Sequence, residues 1–145
     1  GPWATFTWRY DSGLVAGAVP DLESALALTP AQQAAIGFFC GGQQATIVAP
    51  ITSCSSSNYG AVRLNIPAAG TANPDQNPPR IALRSLFDIA VGTDNLLHTE
   101  HHRVVARFTV LNPANIVALY NFLSTFSGTH FVTPRAYQAE LGIVF

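Results

Sequence analysis

Three histidines and a glutamate crowd one short stretch of the chain: His98, Glu100, His101 and His102. Neutral imidazoles and carboxylates are ligands for zinc and copper, and this spacing would let two or three of them reach one ion. Adjacent residues in a turn splay to different sides, however, and the one remaining histidine is His130. The stretch is therefore expected to be a solvated turn, with His98, His101 and His102 as secondary metal candidates. Two further side chains could do covalent chemistry, the thiols of Cys40 and Cys54. A bond between them would staple the segment they enclose, at a gain of about 3 kcal/mol. Two buried free thiols or a two-cysteine metal site are the alternatives. The chain carries no nucleophile elbow, metalloprotease helix, phosphate loop, dinucleotide fingerprint or haem-attachment motif. Asp88, Asp94 and Glu140 fall on the polar rows of their segments, and nothing supplies the rest of an active site around them. No enzyme activity and no cofactor are expected.

The elements that hold these residues are strands. In residues 137–145, Tyr137, Ala139, Leu141, Ile143 and Phe145 form an apolar row, while Gln138, Glu140 and Gly142 form a mostly polar one, with Val144 as the exception. Successive side chains of a strand point to opposite faces, so this segment has one apolar and one wet side. Residues 3–10 alternate likewise, with Ala4, Phe6, Trp8 and Tyr10 against Thr5, Thr7 and Arg9. So do residues 81–96, with Phe87, Ile89 and Val91 against Asp88, Ala90 and Gly92, and residues 103–111, with Val104, Ala106, Phe108 and Val110 against Arg103, Arg107 and Thr109. Asn112-Pro113 interrupts the last of these at a bulge or bend. Residues 116–122 resume the strand or form a helical turn, residues 124–130 form a loop, and the final strand runs from about residue 131.

Between these runs the alternation disappears. Residues 12–79 read as one long loop rich in Gly, Ser, Pro, Asn and Gln, with a single helix inside it. Thr29-Pro30-Ala31-Gln32 is a capping box with proline at the first helical position, and Gly41-Gly42 stop the helix. The organisation expected is thus a single segment, 1–145, with a strand at about 3–11, a long extracellular-type loop at about 12–79 and three strands within 80–145. The short turn at 98–102 lies at one rim of such a sheet, and the long connections lie at the other.

Composition narrows the class. Charged residues make up only 10% of the chain, where soluble surfaces usually carry about a quarter, and all seven basic residues are arginine. A net charge of −1 gives no reason to expect nucleic acid. No run of about eighteen apolar residues is available for a membrane helix. The absence of methionine points to a processed product or a piece of something longer. Strands with one apolar and one polar face, long loops at one rim and a terminal aromatic residue are the pattern of an outer-membrane barrel. The fold class expected is all-β: about four antiparallel strands of an incomplete outer-membrane β-barrel, with one long loop containing a short helix.

The residues also carry a family resemblance. Leu86-Phe87-Asp88-Ile89-Ala90-Val91-Gly92-Thr93-Asp94-Asn95-Leu96 resembles a strand of TonB-dependent outer-membrane receptors that ends at a periplasmic turn. Residues 118–135, from Ala118-Leu119-Tyr120-Asn121 to Val132-Thr133-Pro134-Arg135, are similar to the last extracellular loop and strand entry of that family. The likeness is nearest to the large acidobacterial receptors with a carboxypeptidase-regulatory-like domain. Pro134-Arg135-Ala136-Tyr137 leading to Phe145 resembles the signal read by the barrel-assembly machinery, which would assign that role to Tyr137, Leu141, Ile143 and Phe145. The resemblance implies a transporter for a bulky nutrient in the bacterial outer membrane. Its partners would be the remaining strands of the barrel, membrane lipid and the assembly machinery. The plug domain and TonB box of the family lie upstream of such a segment, so no transport residue carries over. Four strands cannot close a barrel. A barrel-derived accessory subunit docked to a larger membrane complex is the alternative, and a soluble, disulfide-stapled ligand-binding β-domain is a third reading.

Overall fold

The computed structural model describes every residue except Gly17, Ala18, Pro20, Ser56, Pro74, residues 99–102 and Phe145. In chain order its elements are β1 (Pro2–Asp11), α1 (Leu22–Leu26), α2 (Pro30–Ile36), β2 (Phe38–Cys40), β3 (Gln43–Gln44), β4 (Tyr59–Ala61), β5 (Leu64–Asn65), β6 (Arg80–Ile81), β7 (Arg84–Thr93), β8 (Arg103–Leu111), β9 (Leu119–Ser124), β10 (Gly128–Phe131) and β11 (Ala136–Val144). The protein is predominantly β and its sheets are antiparallel, as the alternation implies, but none of them closes into a barrel. Among the described residues no helix is long and apolar enough to cross a membrane. The chain divides into two units.

One unit comprises Gly1–Tyr10, Ser85–Val117 and Val132–Phe145. It is a four-stranded sheet in the order β1-β7-β8-β11. Aromatic and β-branched residues dominate these strands, and such side chains suit a pleated surface. β8 and β11 pair without a break from Ala136↔Leu111 to Val144↔Arg103. β7 joins β8 from Asp88↔Leu111 to Thr93↔Ala106. The Asn112 bend is built by its own side chain. Asn112 takes a left-handed φ of 47°, which short amide side chains tolerate. Its Nδ2 donates to the carbonyls of Ile116 and Thr133, and its Oδ1 accepts from Ile116 N. Ile116 and Val117 therefore continue neither as strand nor as helix, and the last strand starts at Ala136 instead of near residue 131.

The other unit comprises Asp11–Arg84 and Ala118–Phe131, and here the sequence reading needs correction. The stretch 12–79, read as a loop with one helix, carries two helices and the short strands β2 to β5, and the 124–130 loop is the tip and second strand of the β9–β10 hairpin. These pieces enclose a core of Ala16, Val19, Ala25, Ile36, Phe38, Ala45, Leu64, Ile81, Leu119 and Phe122. Each contributes one or two buried side chains, so no periodicity accumulates along the chain for a pattern search to find. α2 begins on the expected capping box, with Thr29 accepting from Gln32 N and Gln32 reaching back to Thr29 N, and it ends one turn early at Gly37, whose φ is 67°. That glycine turns the chain straight into β2, so the helix never reaches Gly41. The buried Gln33 spends both ends of its amide on the backbone, donating to Ile51 O at 3.1 Å and accepting from Ile51 N at 2.9 Å. Cys40 and Cys54 form a disulfide with their Cα atoms 5.8 Å apart, within the usual span for such bonds.

Candidate functional site

The four-stranded sheet has two chemically opposite faces, and register creates them. Ile89, Val110 and Tyr137 stand in one cross-strand row, and Val91, Phe108 and Ala139 in the next. Ala106 faces Leu141, and Val104 faces Ile143. On β1, Phe6 meets Phe87 with ring centroids 5.7 Å apart, which puts Phe6, Trp8 and Tyr10 on the same side. Phe108 and Tyr137 stack at 6.3 Å. The rows are apolar apart from Thr93, which stands beside Ala106, and Ser85, whose hydroxyl accepts from Trp8 Nε1, and much of the face is bare: Leu141 is 79% exposed, Tyr137 and Phe6 63%, Ile143 62%. Single exposed apolar residues are ordinary, but a contiguous face of them marks a surface that meets lipid or another protein.

The opposite face holds Thr5, Thr7 and Arg9 of β1, Asp88, Ala90 and Gly92 of β7, Arg107 and Thr109 of β8, and Gln138 and Glu140 of β11. Arg9 Nη2 donates to Asp88 Oδ2 at 3.0 Å, and the other oxygen of Asp88 accepts from Asn112 N at 3.0 Å. Arg107 donates through Nε to Thr109 Oγ1 at 3.2 Å and stands opposite Glu140 in register. Trp3 closes one end of this face. Its indole lies over Gly92, where an added Cβ would come 2.5 Å from Cζ2, and its Nε1 donates to Asp94 Oδ1 at 3.3 Å. Trp3, Thr5, Thr7, Asp88, Arg107 and Thr109 line a cleft of about 440 Å³.

β1 and β11 are the outer strands of this sheet, ten and nine residues long, and each has a neighbour on one side only. Unpaired backbone donors and acceptors along such an edge are a template for another strand.

The residues singled out from sequence fall unevenly on this arrangement. Tyr137, Leu141 and Ile143 lie together on the apolar face of β11, and Phe145 lies outside the described residues. His98 is exposed, with a left-handed φ of 55°, and His101 and His102 also lie outside the described residues. Among the described residues no three potential metal ligands cluster. Cys40 and Cys54 pair in the other unit, where they fix a loop. Trp3 was missed as a site residue. Its signal was Gly92, because a glycine inside a strand often marks the close approach of another group.

No known protein family matches this chain, and no curated protein or solved structure is similar to it.

Proposed function

We propose that this chain is part of the wall of an outer-membrane receptor barrel of the TonB-dependent type, serving uptake of a bulky nutrient. The observation that carries the proposal is the four-stranded sheet with one bare apolar face and one charged face. A strand that separates lipid from an aqueous lumen needs that alternation, and nine to eleven tilted residues span the hydrocarbon layer. β1 and β11 have that length. In this antiparallel order the β1–β7 and β8–β11 connections leave from the same end of the sheet, while the short β7–β8 turn lies at the other. Outer-membrane barrels share this asymmetry, with long loops outside and short turns at the periplasmic rim. The receptor type itself is supported by the sequence resemblance of residues 86–96, 118–135 and 134–145.

Open strand edges are not tolerated in lipid, so β1 and β11 need covering strands. The rest of a receptor would supply them. A barrel-derived subunit seated on a larger membrane complex is the second reading, and the two open edges accommodate it equally. The apolar face argues against a freely soluble binding domain.

The test is the native polypeptide itself, extracted from outer membranes with detergent and run unheated and heated on a denaturing gel. A product far larger than 15.4 kDa that shifts mobility on heating supports the receptor. A product of that mass, co-purifying with a membrane complex, replaces it with the subunit. Recovery in the soluble fraction overturns both.

A further inference from the structure

We infer that the polar face of the four-stranded sheet carries a binding site for a neutral sugar ring, with Trp3 as its platform. Small-molecule sites are clefts of about 300–1,000 Å³ that combine an aromatic wall with a few placed polar groups, and the cleft here measures about 440 Å³. The Trp3 indole is held in place from two directions, by Gly92 beneath it and by the Asp94 carboxylate at its Nε1. The face of an indole carries negative charge density, which attracts polarised C–H groups such as those of a pyranose.

Of the rest of the lining, Ile89, Ala90 and Leu111 are apolar and the other residues suit hydroxyl groups. Thr5 and Thr7 present hydroxyls that donate and accept, while Thr109 accepts from Nε of Arg107. Asp88 adds carboxylate acceptors beside them. Charge decides between a sugar and an ion. The charged residues of the lining are one carboxylate, Asp88, and one guanidinium, Arg107, so the lining is balanced and has no excess charge to hold an anion or a cation. A ligand with many hydroxyls, a partly apolar ring face and no net charge matches this set. The site rests on the barrel reading for its access, since this face would line the lumen, but the binding chemistry belongs to the sheet alone.

The experiment uses the 145-residue chain folded in a detergent without a sugar head group, because an alkyl glycoside would itself occupy the cleft. Trp8, the second of the two tryptophans, lies on the opposite face, so Trp8→Phe leaves Trp3 as the sole reporter. Maltose and cellobiose are the probes, read by fluorescence of that variant and by calorimetry of the unmodified chain. A saturable response to either disaccharide is expected. Arg107→Gln should weaken it about tenfold, as loss of one good polar contact does, and Trp3→Leu should abolish the calorimetric signal. No saturable heat with the β-sheet circular dichroism intact overturns the proposal, as does a response that survives Trp3→Leu. Tighter binding of glucose 6-phosphate than of the neutral sugars, lost in Arg107→Gln, overturns it in favour of an anion site. Absence of binding in a chain that still enters outer membranes removes the site alone, whereas a soluble chain that binds sugar removes the barrel alone.

Discussion

The indole of Trp3 lies over Gly92 so closely that no side chain fits between them: a Cβ at Gly92 would stand 2.5 Å from Cζ2 and 2.8 Å from Cε2 of the ring. The same Cβ would also meet the carbonyl oxygen of Ala106 at 2.8 Å. Gly92→Ala should therefore lift Trp3 off the sheet and cost about 1–3 kcal/mol, the usual range for overpacking. Chemical denaturation gives the cost, and a red shift of Trp3 emission in the Trp8→Phe background reports the displacement. An unchanged spectrum would show that the contact does not hold the indole.

The apolar face carries the functional proposal, and Leu141 is its most exposed large member. Leu141→Arg should impair membrane assembly, at a cost of about 2–4 kcal/mol if the residue lies near the bilayer midplane. Glu140→Gln, one residue along and on the other face, should have little effect. Quantifying each variant in the outer-membrane fraction checks this, and equal losses for both would sink the assignment of faces.

Gln33 is a buried polar side chain whose worth lies in what it satisfies. Gln33→Leu keeps the volume roughly constant but strands the amide of Ile51, which donates to Oε1 at 2.9 Å. The expected loss is roughly 1–3 kcal/mol. Faster amide exchange at Ile51 should accompany it, and unchanged exchange there would mean that the backbone finds another partner.

A steeper penalty is expected at Gly13, where φ is 101° and a Cβ would sit 2.0 Å from the carbonyl oxygen of Ile81. Backbone strain and collision act together, so Gly13→Ala should cost about 3 kcal/mol or more. The thermal midpoint should fall accordingly. A midpoint within a degree of the parent would contradict the geometry.

The cap of α1 adds a pH dependence. The backbone N–H of Ser24, helped by its hydroxyl, holds the Asp21 carboxyl below the usual carboxylate range. A lowered folded-state value means the ionised cap stabilises the fold above about pH 4. That contribution disappears as the pH falls through the lowered value. Asp21→Ala should consequently speed exchange of the Ser24 amide at pH 7, and by less as the pH falls through the lowered value. An effect of the same size in acid would show that charge plays no part in the cap.

Local pattern alone determined several features of this protein. Alternation in residues 3–10, 103–111 and 137–144 specifies strands with two unlike sides, because side chains two apart always share a face. The Thr29–Gln32 capping box specifies a helix start, since every group in it lies within one turn. Tertiary structure decided the rest. Whether four apolar rows fall on one face depends on register, and a slip of one residue between β8 and β11 would set Tyr137 beside Thr109 or Leu111 instead of Val110. The core of the second unit joins Ala25, Phe38, Ile81 and Phe122, from short pieces that each bury only one or two side chains, so its apolar content looked like loop until the pieces met. Arg84 shows the same limit. Its partner Asp11, at 2.5 Å, and the Tyr120 ring, 5.0 Å away, are distant in sequence. Periodicity is a property of neighbours along the chain, whereas pairing, burial and the Trp3–Gly92 contact belong to residues that only the folded backbone brings together.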